Sequence, residues 1–162
     1  MHFDLVAQCL FLLAIANGAP ILACRVLGDR FSQPIDGGIT LPDGRQLFGP
    51  TKTIRGLVAA LAATALLAPA IGVPWTAALT IAAASLAGDL LSSFAKRRLG
   101  LTPSSRCTGL DQIPEALIPA VTGIPLLGLG VYDAVLVVVL FFAGAVILSR
   151  VLFKLNIRQH PY

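Results

Sequence analysis

Charged residues are scarce in this sequence: Asp, Glu, Lys and Arg together make up 12% of the 162 residues. A soluble domain ordinarily carries about 25% charged residues. Apolar residues, by contrast, reach 56% of the chain, and the mean hydropathy is +0.84. The scarcity of charge excludes an ordinary soluble domain and predicts an integral membrane protein.

Side chains with versatile chemistry are also rare, since the chain has three cysteines and two histidines. The cysteines are odd in number and lack C-x-x-C spacing, which argues against a disulfide framework or a zinc site. No G-x-S-x-G nucleophile motif is present. The basic residues lie in short loops without interleaved aromatic residues, so we do not expect nucleic acid as a partner. Any chemistry must therefore depend on Lys, Arg, Asp and Glu.

Long charge-free runs are what the sequence has in abundance. About 20 apolar residues in a helix cross the hydrocarbon core of a bilayer. The runs predict five transmembrane helices, at about 5–24, 56–71, 75–95, 113–130 and 133–153. Pro69, Gly72 and Pro74 divide the longest run into the second and third helices. The predicted fold class is an all-α integral membrane protein, with residues 1–162 forming a single five-helix domain.

All twelve basic residues fall in two loops, at about 25–55 and 96–112, and in the C-terminal end. The opposite loops, near 72–74 and 131–133, contain no Lys or Arg. Because cytoplasmic loops of membrane proteins carry the excess of Lys and Arg, we expect the N-terminus outside and the C-terminus in the cytoplasm. The two basic loops are then the functional cytoplasmic loops.

One carboxylate, Asp89, interrupts the third predicted helix. A charge at membrane depth costs about 2.5–3.5 kcal/mol or more, so it normally faces a partner or a wet cavity. Asp89 shares one helix face with Ser92, Ser93 and Lys96, which follow it by three, four and seven residues. This polar face indicates either a structural ion pair with Lys96 or Arg97, or part of a functional site.

The first basic loop contains two Asp-Gly pairs, Asp36-Gly37 and Asp43-Gly44, which predict a turn-rich element such as a hairpin. It ends in F-G-P-T-K-T-I-R-G, which lacks the second glycine of a P-loop. Lys52 and Arg55 stand at the predicted start of the second helix, where backbone N–H groups favour a phosphate. Charges that only set the membrane topology are the alternative explanation.

The second basic loop leads through Asp111 into a helix whose first acid is Glu115. A helix cap and a first-turn acid are one explanation for these residues. The other is an acidic cluster with Asp89 for a divalent metal such as Mg²⁺, which takes oxygen ligands and bridges to phosphates. With the loop cations, such a cluster would bind a nucleoside triphosphate and its metal.

Three segments resemble the CDP-archaeol synthase family, small relatives of the phosphatidate cytidylyltransferases. They are F-G-P-T-K-T-I-R-G at 48–56, G-D-L-L-S-S-F-A-K-R-R-L-G at 88–100, and L-D-Q at 110–112. The resemblance extends over nearly the whole chain, including five spans and an external N-terminus. It implies a Mg²⁺-dependent transfer of a cytidyl group from CTP to a lipid phosphate in a cell membrane, on its cytoplasmic face, with release of pyrophosphate.

The resemblance also implies roles for individual residues. It implies that Asp89, Asp111, Lys52 and Arg55 are catalytic residues. Metal binding falls to Asp89, Asp111 and Glu115. Contacts with the substrate phosphates fall to Lys52, Arg55, Lys96, Arg97, Asp36, Gly37 and Ser92.

The chain departs from the family pattern at one position. The family usually has a second acid three residues after Asp111, where this sequence has Pro114, and Glu115 follows. One residue turns a helical side chain by about 100°, so Glu115 must either reach the metal by its longer side chain or leave the metal site changed. A non-catalytic homologue that binds lipid or nucleotide is therefore an alternative function, and a small transporter using Asp89 is another. The sequence leaves open the lipid tails, the number of metal ions and a homodimer.

Overall fold

The computed structural model describes residues 1–102, 107 and 109–154, and for 149–154 it describes the backbone only. Five α-helices and one 3₁₀ turn follow one another along the described chain. They are α1 (Phe3–Leu27), α2 (Ile54–Leu67), the 3₁₀ turn (Ala68–Ile71), α3 (Trp75–Arg98), α4 (Gln112–Leu127) and α5 (Val131–Lys154). The predicted all-α class is confirmed, and the described residues contain isolated bridges but no strand.

Four of these helices are long and apolar enough to cross a membrane: α1, α2 with its 3₁₀ turn, α3 and α5. α4 is apolar but shorter, with 16 residues. The predicted break between the second and third helices lies where it was expected. Gly72 ends the 3₁₀ turn at a φ of +76°, which favours glycine, and Pro74 precedes the first residue of α3. Arg106 and Arg158, on which the orientation prediction drew, lie outside the described residues, as do the side chains of Arg150 and Lys154.

The helix interfaces consist largely of small residues. α3 packs against α1, α2 and α4, while α5 packs against α1 and α4. Fully buried alanines lie in these contacts, at positions 60, 78, 82, 116 and 120. Small side chains allow close backbone approach, which is how helices associate where lipid removes most of the hydrophobic driving force. Large apolar side chains such as Leu66 and Leu148 are instead exposed on the outer faces.

The first long loop, 28–53, and the described residues of the second, 99–102, 107 and 109–111, lie at the same end of the helix bundle. The ends of the first loop lie side by side, because the N–H of Ile35 donates to the carbonyl of Lys52 at 2.7 Å and that of Ile54 to the carbonyl of Gln33 at 3.0 Å. Thr40 and Gln46 form an isolated antiparallel bridge around the Asp43-Gly44 turn. The predicted turn-rich element is therefore present, and it brings Lys52 back to the bundle.

Candidate active site

Lys52 and Asp89 form the central ion pair of this end of the molecule. The ammonium Nζ of Lys52 lies 2.6 Å from both carboxylate oxygens of Asp89. Lys52 is in the first loop and Asp89 is in α3, and both side chains are about a quarter exposed. The polar helix face around Asp89 therefore points to a charged site. Its partner, however, is Lys52 from another part of the chain and not Lys96 or Arg97.

A second ion pair joins α3 to the start of α4. Nζ of Lys96 lies 2.6 Å from Oδ1 of Asp111, and the N–H of Cys107 donates to Oδ2 of Asp111 at 3.1 Å. Asp111 occupies the position before α4, but its side chain makes no cap hydrogen bond. The helix-cap explanation for Asp111 is therefore wrong, because its carboxylate turns toward α3. Ser92 strengthens this contact, donating to the carbonyls of Gly88 and Asp111.

Gly88 allows α4 to approach α3 directly beside Asp89. A Cβ at position 88 would lie 2.2 Å from the carbonyl oxygen of Pro114 and 2.8 Å from Cα of Glu115, so only glycine fits. This approach brings Glu115 into electrostatic interaction with Asp89, Lys52, Asp111 and Lys96. The acid that follows Pro114 thus lies near both ion pairs.

Arg55 and Thr53 lie at the start of α2 with different partners. Thr53 caps the helix, its hydroxyl accepting from the N–H of Gly56 at 3.3 Å. The Arg55 guanidinium donates to the carbonyls of Gly28 and Arg30 and to Sγ of Cys24. Arg55 therefore stabilises the chain segment that follows α1. Its charge lies beside the site, but its Nη1 and Nη2 donate to this segment and to Cys24.

Arg97 is buried at the junction of α3 and the first loop. Nη2 donates to the carbonyl of Thr102 at 2.8 Å, while Nε and Nη1 are buried without a hydrogen-bond partner in the part of the chain that the structure describes. Nη1 faces Gly49, where an added Cβ would lie 3.6 Å from this nitrogen. A buried donor without an acceptor is costly, so Arg97 retains capacity for an anionic oxygen.

Asp36 organises the first loop from within. Its carboxylate is buried and accepts from the backbone N–H groups of Gly38, Phe48 and Gly49, at 2.9–3.3 Å. Desolvation raises the pKa of Asp36, but these hydrogen bonds together outweigh it and hold the pKa below its ordinary value. Gly37 is exposed in the adjoining turn at a φ of +59°. The structure thus gives Asp36 backbone partners within the loop.

Asp43, Arg45 and Arg98 dock the first loop on α3, a role that the sequence did not indicate. Arg98 donates to Asp43 at 2.6 Å and to the carbonyl of Gln46 at 2.7 Å. Arg45 donates in return to the carbonyls of Arg97 and Arg98, where α3 ends. The Asp43-Gly44 pair predicted this turn from the sequence, but nothing in the local sequence indicates that α3 is the helix on which it docks.

A cavity of about 340 Å³ opens beside the Lys52–Asp89 pair. α1, α2, α3 and the first loop enclose it, and its lining includes Cys24, Arg55, Leu57 and Leu90. Lys96, Asp111 and Glu115 are not part of this lining. Asp89 therefore lines the cavity, whereas the acidic residues at the start of α4 do not.

The carboxylates do not form a ready-made metal cluster. Among residues 1–102, 107 and 109–154, no three Asp, Glu, His or Cys side chains lie close enough to hold one ion together. Asp89 and Asp111 instead each bind a lysine. Ion binding would require these carboxylates to exchange the lysines for the metal.

The fold is shared with a known intramembrane enzyme of archaeal lipid biosynthesis. A solved structure described as "Structural insight into an intramembrane enzyme for archaeal membrane lipids biosynthesis" superposes with a TM-score of 0.70 and 30% sequence identity. The match covers 93% of this chain and 92% of that chain.

The particular family follows from the sequence relatives. The family model described as "CarS-like: CDP-archaeol synthase" matches residues 2–73. The CDP-archaeol synthase of Sulfolobus acidocaldarius is 31% identical over 155 residues, covering 91% of each chain, and that of Aeropyrum pernix is 44% identical over 105 residues, covering 61% of this chain. The chain belongs to the CDP-archaeol synthase family, as its motifs predicted. The aligned part spans 57% of the A. pernix protein and 60% of the CDP-archaeol synthase of Pyrococcus furiosus.

Proposed function

We propose that this protein is a CTP-dependent cytidylyltransferase that acts on a membrane lipid phosphate and forms a CDP-lipid and pyrophosphate. The observation that carries the proposal is the pairing of Asp89 and Asp111 with Lys52 and Lys96 at the site where the two loops meet. Family membership supports the same reaction, since the named relatives are CDP-archaeol synthases.

The reaction joins two anions. An oxygen of the lipid phosphate attacks the α-phosphorus of CTP, a new P–O bond forms, and the bond to the bridging oxygen of the β-phosphate breaks. Pyrophosphate leaves with the electron pair of that bond. Because an ionised phosphate oxygen is already nucleophilic, the step needs no histidine or cysteine as a base. Positioning and charge neutralisation are what the protein must supply.

The two lysine–aspartate pairs suit this requirement. When a nucleotide phosphate approaches, Lys52 and Lys96 can transfer from their carboxylates to phosphate oxygens, and Asp89 and Asp111 then become available to a cation. The exchange keeps every charge partnered, which limits the cost of desolvation at the membrane surface. Arg97 adds a buried guanidinium whose Nε and Nη1 have no hydrogen-bond partner among the described residues.

Mg²⁺ is the cofactor that the donor chemistry fits. The resemblance of the sequence motifs to this family also implies Mg²⁺ as a cofactor. Mg²⁺ typically takes one or two protein carboxylates, with substrate phosphates and waters completing its shell. Asp89 and Asp111 would hold it, and Glu115 interacts electrostatically with both. Bound there, the ion would neutralise the charge that grows on the leaving pyrophosphate.

Five membrane spans, an external N-terminus and a cytoplasmic site complete the proposal. The distribution of the basic residues along the sequence supports this orientation. The 16 residues of α4 are few for a span, but close packing on α3 and α5 shields this helix from lipid on two sides. The five helices then act as one membrane domain.

The test is product formation by the purified chain in detergent with labelled CTP, Mg²⁺ and a panel of diacyl and dialkyl glycerol phosphates. We expect a labelled CDP-lipid from the wild type and a loss of at least about 100-fold in Asp111→Asn, because a group that positions charge in the reaction is removed. Asp4→Asn, which changes an exposed acid at the other end of the molecule, is the matched control and should keep full activity.

Two outcomes would contradict the proposal. If no lipid phosphate gives a product although CTP binds, the chain is the non-catalytic homologue that the change at Pro114 suggests. If Asp111→Asn and the control lose activity equally, the effect is not one of the proposed site.

A further inference from the structure

We infer that residues 25–31, where α1 ends and the first loop begins, form a membrane-interface surface that binds anionic lipid headgroups. The ring of Phe31 inserts among the headgroups, and Arg25 and Arg30 bind their negative charges. None of these residues lines the cavity or belongs to the two lysine–aspartate pairs, so this surface is separate from the candidate active site.

The backbone of Phe31 is strained. Among the described residues, Phe31 is the only one other than glycine with a positive φ, which is +55°. This left-handed conformation is unfavourable for a residue with a Cβ, and a bulky aromatic residue in it is an outlier. Arg55 maintains it by donating to the carbonyls of Gly28 and Arg30, and the N–H of Arg30 donates to the carbonyl of Leu27 at 3.0 Å. Strain that the surrounding structure maintains indicates a function for the residue that carries it.

The ring of Phe31 gains little from the rest of the protein. Phe31 is 73% exposed, and Val26, in the same segment, is 82% exposed. A phenyl ring left in water loses the free energy that burial would provide. The membrane interface is where a surface of aromatic, apolar and basic side chains is buried and solvated at once.

α1 carries this segment to the level of the headgroups. Its 25 residues extend about 38 Å at about 1.5 Å per residue. The hydrocarbon core of a bilayer is only about 30 Å thick. Arg25 lies in the last turn of α1, and Gly28 follows the helix directly. The last turn and the residues after it therefore leave the hydrocarbon and lie among the headgroups.

The charge of the segment is available to a partner outside the chain. Arg25 and Arg30 are exposed, and neither side chain has a hydrogen-bond or ion-pair partner in the part of the chain that the structure describes. The exposed Asp29 cancels one of the two charges, so the segment keeps a positive net charge. Basic residues at the membrane surface attract anionic lipids. The other described cations all bind within the protein: Arg45, Lys52, Arg55, Lys96, Arg97 and Arg98.

Fluorescence quenching tests the insertion of the ring in the full chain reconstituted into bilayers. Phe31→Trp keeps an aromatic ring at this position, and Trp75→Phe removes the single native tryptophan. In phosphatidylcholine brominated near the top of its acyl chains, we expect at least about twofold quenching of the double variant. Ile39→Trp in the same background is the matched control, because Ile39 is exposed in the same loop but lies in the hairpin docked on the end of α3. Its quenching should stay below about 1.2-fold.

Brominated phosphatidylglycerol tests the recognition of charge with the same reporter. We expect the relative binding constant to favour phosphatidylglycerol over phosphatidylcholine by about fivefold. Arg25→Gln combined with Arg30→Gln should bring this ratio to about one, and Asp29→Asn should raise it. The opposite signs of these changes separate recognition of charge from a loss of folding.

Hydrogen exchange in the same bilayers gives a second test of insertion. Phe31→Asn removes the ring, and Asn tolerates a positive φ better than Phe does. The amides of Gly28 and Arg30 are hydrogen-bonded in this turn, and their exchange should accelerate at least about threefold in Phe31→Asn if the ring anchors the turn. Without an anchor, relief of strain would leave the exchange unchanged or slower.

Each of three results would overturn the inference. They are quenching of Phe31→Trp no stronger than that of Ile39→Trp, a lipid preference that persists without Arg25 and Arg30, and exchange that does not accelerate in Phe31→Asn. None of these measurements depends on product formation, so a failure of the proposed function leaves them interpretable.

Discussion

The two ends of the helix bundle each contain carboxylates, but they use them in opposite ways. At the end where α5 begins, Asp133 is buried, and its Oδ1 accepts from the backbone N–H of His2. Its Oδ2 accepts from the backbone N–H of Gly130 and contacts Nδ1 of the His2 ring. At the other end, Asp89 and Asp111 are 29% and 21% exposed, and each is paired with a lysine. A carboxylate surrounded by fixed donors holds the fold together, whereas one paired with a flexible ammonium beside a cavity can change partners.

Substituting one acid at each end tests this comparison most strongly. Asp89→Asn should lower CDP-lipid formation by about 100-fold or more with little loss of thermal stability, since it removes charge from the reacting centre. Asp133→Asn should do the reverse, lowering the unfolding temperature while keeping activity within about twofold, because it disrupts a buried network. Activity assays and thermal unfolding in detergent measure both. Equal losses of activity in the two variants would contradict the proposed difference between a reactive Asp89 and a structural Asp133.

The end of the bundle that contains Asp89 and Asp111 depends on the close approach of α3 and α4. Gly88→Ala should disturb this approach. The added Cβ would meet the Pro114 backbone, so we expect a loss of about 1–3 kcal/mol in stability and a marked fall in activity. Gly144→Ala, in α5, is the control, because nothing lies within 4 Å of its added Cβ. Thermal unfolding compares the two variants. Unchanged stability in Gly88→Ala would show that the two helices can separate freely.

Asp36, at the end of the bundle that contains the candidate active site, is bound in the same way as Asp133, because backbone N–H groups donate to both carboxylates. Because its pKa is lowered in the folded protein, Asp36 stabilises the loop at pH values above its ordinary pKa of 3.8, and this contribution is lost as the pH falls through the lower folded-state value. Hydrogen exchange at Phe48 and Gly49 should accelerate over that range. Asp36→Asn should reduce protection at neutral pH by about 1–3 kcal/mol and abolish the pH dependence. A pH response that persists in this variant would assign it to another group.

The smallest effect is expected from the exposed Arg98–Asp43 pair. Asp43→Asn removes one of several contacts that dock the loop hairpin on α3, and exposed ion pairs contribute little. The backbone N–H of Arg45 and the Arg98 guanidinium lower the pKa of Asp43, so the pair is present at neutral pH. Unfolding temperature and activity should both stay near the wild-type values. A large loss of activity would give the hairpin a direct part in the reaction.

Much of this architecture could be predicted from the sequence alone. Apolar runs between charges predicted the helices to within a few residues at each end, because a backbone in lipid must satisfy its own hydrogen bonds. The break at 68–74 followed from its prolines and glycine. The motifs around Lys52, Asp89 and Asp111 indicated both the family and the residues that gather at one end. These are properties of short segments, and local sequence determines them.

Only the tertiary structure decided which charges meet. The sequence offered an ion pair of Asp89 with Lys96 or Arg97 as one explanation, yet Asp89 pairs with Lys52, 37 residues away, and Lys96 pairs with Asp111. Glu115 lies near both pairs because Gly88 lets two backbones approach, a contact invisible in either helix by itself. Partner choice and cavity shape depend on distances between remote segments, and those distances exist only after the helices have packed.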